Sequence, residues 1–222
     1  MRVLITGASG AIGQAITDAM HTAGYYVKPL SRFDCDLSSI KDIKSYVSEN
    51  ELDFDVFVHV AGVNNPIDAT TLTEEDLQQT LQVNFFSGLY LARKLLPYMQ
   101  KNSFGRIVFI SSLWSHMGRS NRLAYSASKG AIDASMRCLA TEFAKCNIIV
   151  NSVSPGFVDT PLTRKNIPKT KLEDIFIRTP IGKFVDIKDI VRTVMFLCSK
   201  DNNALTGQNI LVDGGFMLSG DF

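Results

Sequence analysis

Short apolar runs and helical apolar spacings alternate along the whole chain. Residues 2–6 form a strand-length apolar run ending at Gly7. Over 11–23 the residues Ile12, Ala15, Ile16, Ala19 and Met20 recur at helical spacing, and Gly24 supplies a stop. Residues 26–31 read as a second strand, and 38–50 as a helix capped by Ser38. A buried strand spans 54–61. Thr73, followed by Glu74, Glu75 and Asp76, opens a long, bent helix reaching Gln100, with Pro97 distorting its end. Then come a strand at 105–111, a helix at 124–145 stopping near Asn147, a strand at 148–153, a helix at 187–199 and a strand at 208–212. Such alternation predicts an α/β fold with a parallel sheet and helices on both faces. Residues 157–184 break the pattern with Pro161, Pro168, Pro180 and the basic cluster Arg164, Lys165, Lys169 and Lys171. They read as an irregular substrate loop or a solvated excursion.

A length of 222 residues suits one domain over 1–222, and 45% hydrophobic with 20% charged residues is ordinary for a globular protein. A formal net charge of +1 gives no case for nucleic acid or a membrane surface as partner. No apolar run approaches the ~20 residues that span a bilayer. The N-terminus lacks the apolar stretch and cleavage site of a signal peptide. Cys35, Cys138, Cys146 and Cys198 are scattered and read as reduced thiols in a cytoplasmic protein, with no metal site expected.

Candidate chemistry centres on Tyr125-Ser126-Ala127-Ser128-Lys129. A free tyrosine, with a pKa of about 10, is a poor acid or base at neutral pH. A lysine four residues on along a helix shares its face, and its charge favours the phenolate. A Ser112 hydroxyl aimed at the same point could hold a carbonyl or alcohol oxygen. Together they suit proton transfer between C=O and CH–OH, which needs a hydride donor. Thr6-Gly7-Ala8-Ser9-Gly10-Ala11-Ile12-Gly13 joins the first strand to the first helix. Glycines there let a pyrophosphate approach the helix N-terminus. Singly, Asn84 reads as a locally bonded helix residue and Ser112 as an end-of-strand hydroxyl. Their joint order points to a site.

This set resembles the short-chain dehydrogenase/reductase family over nearly the whole chain. Val83-Asn84-Phe85, Ile110-Ser111-Ser112, Ser154-Pro155-Gly156-Phe157-Val158-Asp159-Thr160, Thr179-Pro180 and Val212-Asp213-Gly214-Gly215 add to the likeness. The resemblance implies a single-domain, Rossmann-like, doubly wound sheet and a catalytic tetrad of Asn84, Ser112, Tyr125 and Lys129. It places a nicotinamide dinucleotide against Gly7, Ser9, Gly10, Ala11, Ile12 and Gly13. It puts Ser31 and Arg32 at the adenosine ribose, and Asp36 and Leu37 near the adenine. Ala61 and Gly62 follow, with Pro155, Gly156, Val158 and Thr160 on the nicotinamide side, and Tyr125 and Lys129 also touching cofactor. The shorter branch, which includes 3-oxoacyl-carrier-protein reductases, fits best. The resemblance further implies a small carbonyl or alcohol substrate and a homotetramer or homodimer formed through the helices of Asn84 and Tyr125.

The chain departs from the family in four places. Gly7, Gly10 and Gly13 are spaced as in its longer sugar-nucleotide branch. His59-Val60 replaces the usual Asn-Asn before Ala61-Gly62, and His59 reads as a strand-end residue rather than a catalyst. The few residues between Arg32 and Asp36 replace a helix and a strand, which predicts an abridged sheet with Pro29 in an edge strand. Cys146 replaces a basic residue common in acyl-carrier-protein reductases. Ser31 stands where an acid selects NAD(H), and Arg32 follows, which favours NADP(H) with NAD(H) possible. Two rival functions remain open: a sugar-nucleotide epimerase or dehydratase with tightly held cofactor, and a non-catalytic dinucleotide sensor. Trp114, His116, Met117, Arg119 and Arg122 lie between Ser112 and Tyr125 as candidate pocket residues, with Phe157 and Leu162 closing it. The aromatics suit an apolar or ring-shaped substrate and the arginines an anionic one.

Overall fold

Six parallel strands form one sheet in the order β2-β1-β3-β4-β5-β6 in the computed structural model, which describes residues 1–219, the Lys169 side chain excepted. The central strands β3 (Val56–His59), β4 (Gly105–Ile110) and β5 (Ile148–Pro155) are buried at every residue. A parallel sheet covered on both faces requires this, and it explains the unbroken apolar runs. One face carries α2 (Ile40–Glu49), α4 (Ser87–Lys101) and α5 (Leu123–Phe143). Ile43, Leu91, Leu95, Met99, Ile132 and Met136 pack there on Leu4, Phe57 and Ile107. The other carries α1 (Ala11–Thr22) and α8 (Ile187–Cys198), whose Ile16, Met20, Ile190 and Val194 meet Val3, Ile5, Val56 and Val108.

From β1 (Arg2–Thr6) and α1 the chain enters β2 (Tyr26–Leu30), which pairs with β1 alone. Residues 31–38 then pass in turns to α2, with no helix or strand between. The abridged edge is therefore present, and Pro29 lies in the edge strand, where a missing N–H is tolerated. β6 (Asn209–Val212) closes the opposite edge. Among the described residues no helix is long and apolar enough to cross a membrane.

Three sequence expectations are corrected. Ser39, not Ser38, caps α2 by accepting from the Asp42 N–H at 3.2 Å, while Ser38 donates through its N–H and hydroxyl to Asp36. The long helix is two, α3 (Glu74–Leu81) and α4, joined by a π-helical turn over Gln82–Phe86. Pro97 lies inside α4, which runs on to Lys101. Residues 157–184 are not irregular: they hold α6 (Pro161–Asn166), a 3-10 turn at Lys169–Lys171 and α7 (Leu172–Arg178). Thr160 caps α6, and Pro161 occupies its first turn, where no N–H partner is lost. Ile167 and Ile175 pack with Leu113, Phe157 and Phe216 in a third apolar cluster over the C-terminal ends of β4 and β5.

Candidate active site

The turn after β1 is shaped by contacts that only glycine permits. Gly7 has φ +66°, and a Cβ there would lie 2.6 Å from the Ala61 nitrogen. A Cβ on Gly13 would lie 2.2 Å from the Gly7 carbonyl oxygen. Gly10, the N-cap of α1, offers no side-chain acceptor, so the first N–H groups of the helix are left for an anion. Gly7, Ser9, Gly10, Ala11, Ile12 and Gly13 line one side of a cavity of about 590 Å³. Ser31, Arg32, Asp36 and Leu37 line its far end, and Ala61, Gly62 and Thr160 its inner end. This long, glycine-floored cleft fits a dinucleotide. Leu30, Cys35, Ser38, Val60, Val63, Gln79 and Val83 also line it and escaped the sequence reading. Gln79 and Val83 lie four residues apart, one residue before Asn84, and that spacing was the available signal.

At the adenosine end, Asp34 accepts from the Ser31 N–H at 2.9 Å and its hydroxyl at 2.6 Å, and pairs with Lys28 at 3.2 Å. The Ser31 bonds hold the Asp34 carboxyl below its ordinary pKa. Arg32 is largely exposed and reaches Asp36 at 3.4 Å. Asp36 is itself held ionised, chiefly by the Ser38 hydroxyl.

A second cavity of about 140 Å³ is lined by Ser112, Tyr125, Pro155, Gly156 and Val158, and it shares Ile12, Thr160 and Leu162 with the first. The sequence offered two adjacent serines, and the structure separates them. Both line this cavity, but the Ser111 hydroxyl donates to the buried Asp133 at 3.1 Å, whereas Ser112 bonds Tyr125 and accepts from the Trp114 N–H at 3.2 Å. Asp133 also accepts from Ser152 at 2.8 Å and Asn209 at 2.6 Å, which ties α5 to β5 and β6. Burial raises the Tyr125 pKa, opposed by a Ser112 hydrogen bond and then by the Arg122 charge. The groups that pull it down are these two, with Lys129 not among them. The Lys129 ammonium donates to the Ile110 carbonyl at 2.7 Å and lies 5.7 Å from the Tyr125 ring centroid. Burial lowers its pKa to about 8, against the pull of Asp133.

Asn84 and Lys129 line neither cavity but meet behind Gly62. A Cβ on Gly62 would sit 3.5 Å from both Asn84 Oδ1 and Lys129 Nζ. The Asn84 amide is fully engaged: Oδ1 accepts from the Val63 N–H at 2.7 Å, and Nδ2 donates to the Val63 carbonyl and to Ser128 Oγ at 3.0 Å each. His59 was missed as part of this arrangement. It is fully buried, with Nε2 3.1 Å from the Asn84 carbonyl and Nδ1 2.8 Å from Thr6 Oγ1. A carbonyl only accepts, so Nε2 carries the proton and Nδ1 accepts from Thr6. Burial, with Lys129 adding to it, pushes the imidazole down to about 3, so it is neutral.

A family model described as enoyl-(acyl carrier protein) reductase matches residues 1–217. The 3-oxoacyl-[acyl-carrier-protein] reductase of Rickettsia bellii (strain RML369-C) is 31% identical over 233 residues, covering 97% of this chain and 96% of the relative. A solved 4-hydroxyisoleucine dehydrogenase complexed with NADH is 26% identical, with a TM-score of 0.92 over 99% of each chain. A Beutenbergia cavernae protein described as a candidate NAD(P)-dependent gluconate 5-dehydrogenase, with NADP at low occupancy, is 29% identical, with a TM-score of 0.93 over 98% of this chain and 97% of that one. The chain belongs to the short-chain dehydrogenase/reductase family, NAD(P)-dependent oxidoreductases that act on CH–OH groups.

Proposed function

We propose that the protein is an NADP(H)-dependent oxidoreductase that reduces a small-molecule carbonyl to an alcohol, or runs the reverse, with Tyr125 as general acid and base. The observation that carries this reading is the placement of the Ser112 and Tyr125 hydroxyls in one small cavity that opens onto the glycine-floored cleft. Bound NADPH supplies the hydride to the carbonyl carbon. Ser112 holds the oxygen, and Tyr125 gives it a proton. Lys129 binds the nicotinamide ribose and supports proton return, and Asn84 fixes the backbone around Val63 at the mouth of the site. Gly7, Ser9, Gly10, Ala11, Ile12 and Gly13 hold the pyrophosphate, and Pro155, Gly156, Val158 and Thr160 support the nicotinamide. Tyr125→Phe should lower kcat about 10²- to 10⁴-fold while NADPH binding, followed by fluorescence titration, stays within a few-fold. Undiminished turnover would overturn the scheme.

For the cofactor, Arg32 at the open rim suits a 2′-phosphate. The ionised Asp34 and Asp36 beside it favour the second reading, a ribose diol and NAD(H). The NADPH-to-NADH ratio of kcat/KM in wild type and Arg32→Ala decides between them, since an unchanged ratio refutes the phosphate role. Exposed Phe86 and Leu123, on the segments bearing Asn84 and Tyr125, support assembly as a homodimer or homotetramer through those helices. Cytoplasmic localisation completes the reading.

A further inference from the structure

The small cavity that Ser112 and Tyr125 line is also lined by two arginines, Arg119 and Arg122, and by no carboxylate among the described residues. Arg122 is 6% exposed, yet its buried Nε has no hydrogen-bond partner. Its Nη1 donates to the Asn121 carbonyl at 3.0 Å, and Asn121 adopts φ 62°, a left-handed conformation that asparagine tolerates. Arg119 stacks on Trp114, with its guanidinium carbon 4.9 Å from the ring centroid. No acidic side chain within ion-pairing distance of either arginine occurs among the described residues. Both guanidiniums are disfavoured first by desolvation and then by a like charge, Arg178 for Arg119 and Arg119 for Arg122. Buried cations are normally paired, and an unpaired buried donor is costly. A stacked arginine and a buried one with no counter-charge, both lining the cavity of the Ser112 and Tyr125 hydroxyls, suit an anion.

Resting on the carbonyl-reductase reading, we propose that the substrate carries a carboxylate close to its reacting carbon, a small keto acid or the matching hydroxy acid, and that Arg122 and Arg119 bind that carboxylate. Arg122, buried but lining the cavity, bonds the carboxylate there. Arg119, beside Trp114, adds a second positive charge to the same cavity. The cavity, at about 140 Å³, has room for a compact acid rather than a long acyl chain. Asn64 and Thr163 line the same cavity and add polar character to it.

The test pairs keto acids with their neutral esters. Acetoacetate, 4-oxopentanoate and 5-oxohexanoate are compared with their methyl esters and with acetoacetyl-CoA, by oxidation of NADPH and NADH. Succinate binding is measured by calorimetry on wild type, Arg122→Gln, Arg122→Lys and Arg119→Gln. The expected result is an acid-to-ester preference in kcat/KM that falls about 10- to 100-fold in Arg122→Gln, mainly through KM. Succinate affinity should fall in parallel and return in part with Arg122→Lys, which separates charge recognition from a folding defect. Equal use of acids and esters by wild type overturns the carboxylate assignment and leaves the carbonyl-reductase reading standing. Turnover of acetoacetyl-CoA with no keto acid used overturns it too and gives the arginines to a carrier phosphate. Succinate binding that depends on Arg122, with no turnover across the panel, upholds the anion site and sinks the carbonyl-reductase reading instead.

Discussion

His59 should make the protein acid-sensitive, by an amount its surroundings set. The imidazole is fully buried, is held by Thr6 and the Asn84 carbonyl, and titrates near 3 instead of 6.5. The unfolded chain therefore takes up this proton first. Stability from the neutral ring is complete above about pH 6.5 and declines as the pH falls from there toward 3. Between pH 7.5 and pH 5.0 the linkage amounts to about 2 kcal/mol, and it would approach about 5 kcal/mol near pH 3. Urea unfolding of wild type and His59→Asn at the two pH values isolates the effect, because asparagine occupies the space without titrating. At pH 7.5 the variant should be less stable by about 1–3 kcal/mol, from the weakened bond to Asn84 and the space beside Gly88. Its loss on acidification should be smaller than that of wild type by about 2 kcal/mol. If both lose stability equally between those pH values, the buried neutral histidine is not the cause and the reasoning fails.

Two further substitutions test how tightly the site is built. A Cβ on Gly88 would lie 2.6–2.8 Å from the His59 ring, so Gly88→Ala should destabilise by about 1–3 kcal/mol, and His59→Asn in the same chain should restore part of it. Additive losses in thermal or urea unfolding would show that the two do not pack together. Gly13→Ala places a methyl 2.2 Å from the Gly7 carbonyl and should weaken NADPH binding at least about tenfold by displacing the turn that faces the pyrophosphate; unchanged fluorescence titration would remove the turn from the cofactor site.

The fold was largely legible because its signals are local. Gly7 and Gly24 close the first strand and the first helix, and the three fully buried strands lie where apolar runs predict them. The abridged edge showed in the shortness of the segment after Arg32 and in Pro29, which only an edge strand accommodates. The short helices after Thr160 were hidden for a related reason. Pro161, Pro168 and Pro180 read as breakers, yet Pro161 starts a helix, and Ile167 and Ile175 find their apolar partners across the chain in Leu113 and Phe216. The π-helical turn at Asn84 leaves no periodic trace at all, since one shifted hydrogen-bond register in a helix does not change which residue types suit it. His59 was undervalued because its partners lie 53 and 25 residues away.

The same non-local contacts alter how the proton chemistry is understood. Sequence spacing gave Lys129 the task of drawing a proton from Tyr125. In the folded chain both groups are shifted toward their neutral forms by desolvation, the half-buried Tyr125 upward and the buried Lys129 downward. A protonated phenol can give a proton, which is the step the proposed carbonyl reduction asks of Tyr125. The groups that pull the Tyr125 pKa back down are Ser112 and Arg122, both on the substrate side. An anion seated on Arg122 would neutralise that pull and favour the protonated phenol further. Substrate charge and proton donation would then be linked through one guanidinium, while the Thr6–His59–Asn84 chain holds the turn after β1 and the π-helical turn in register behind them.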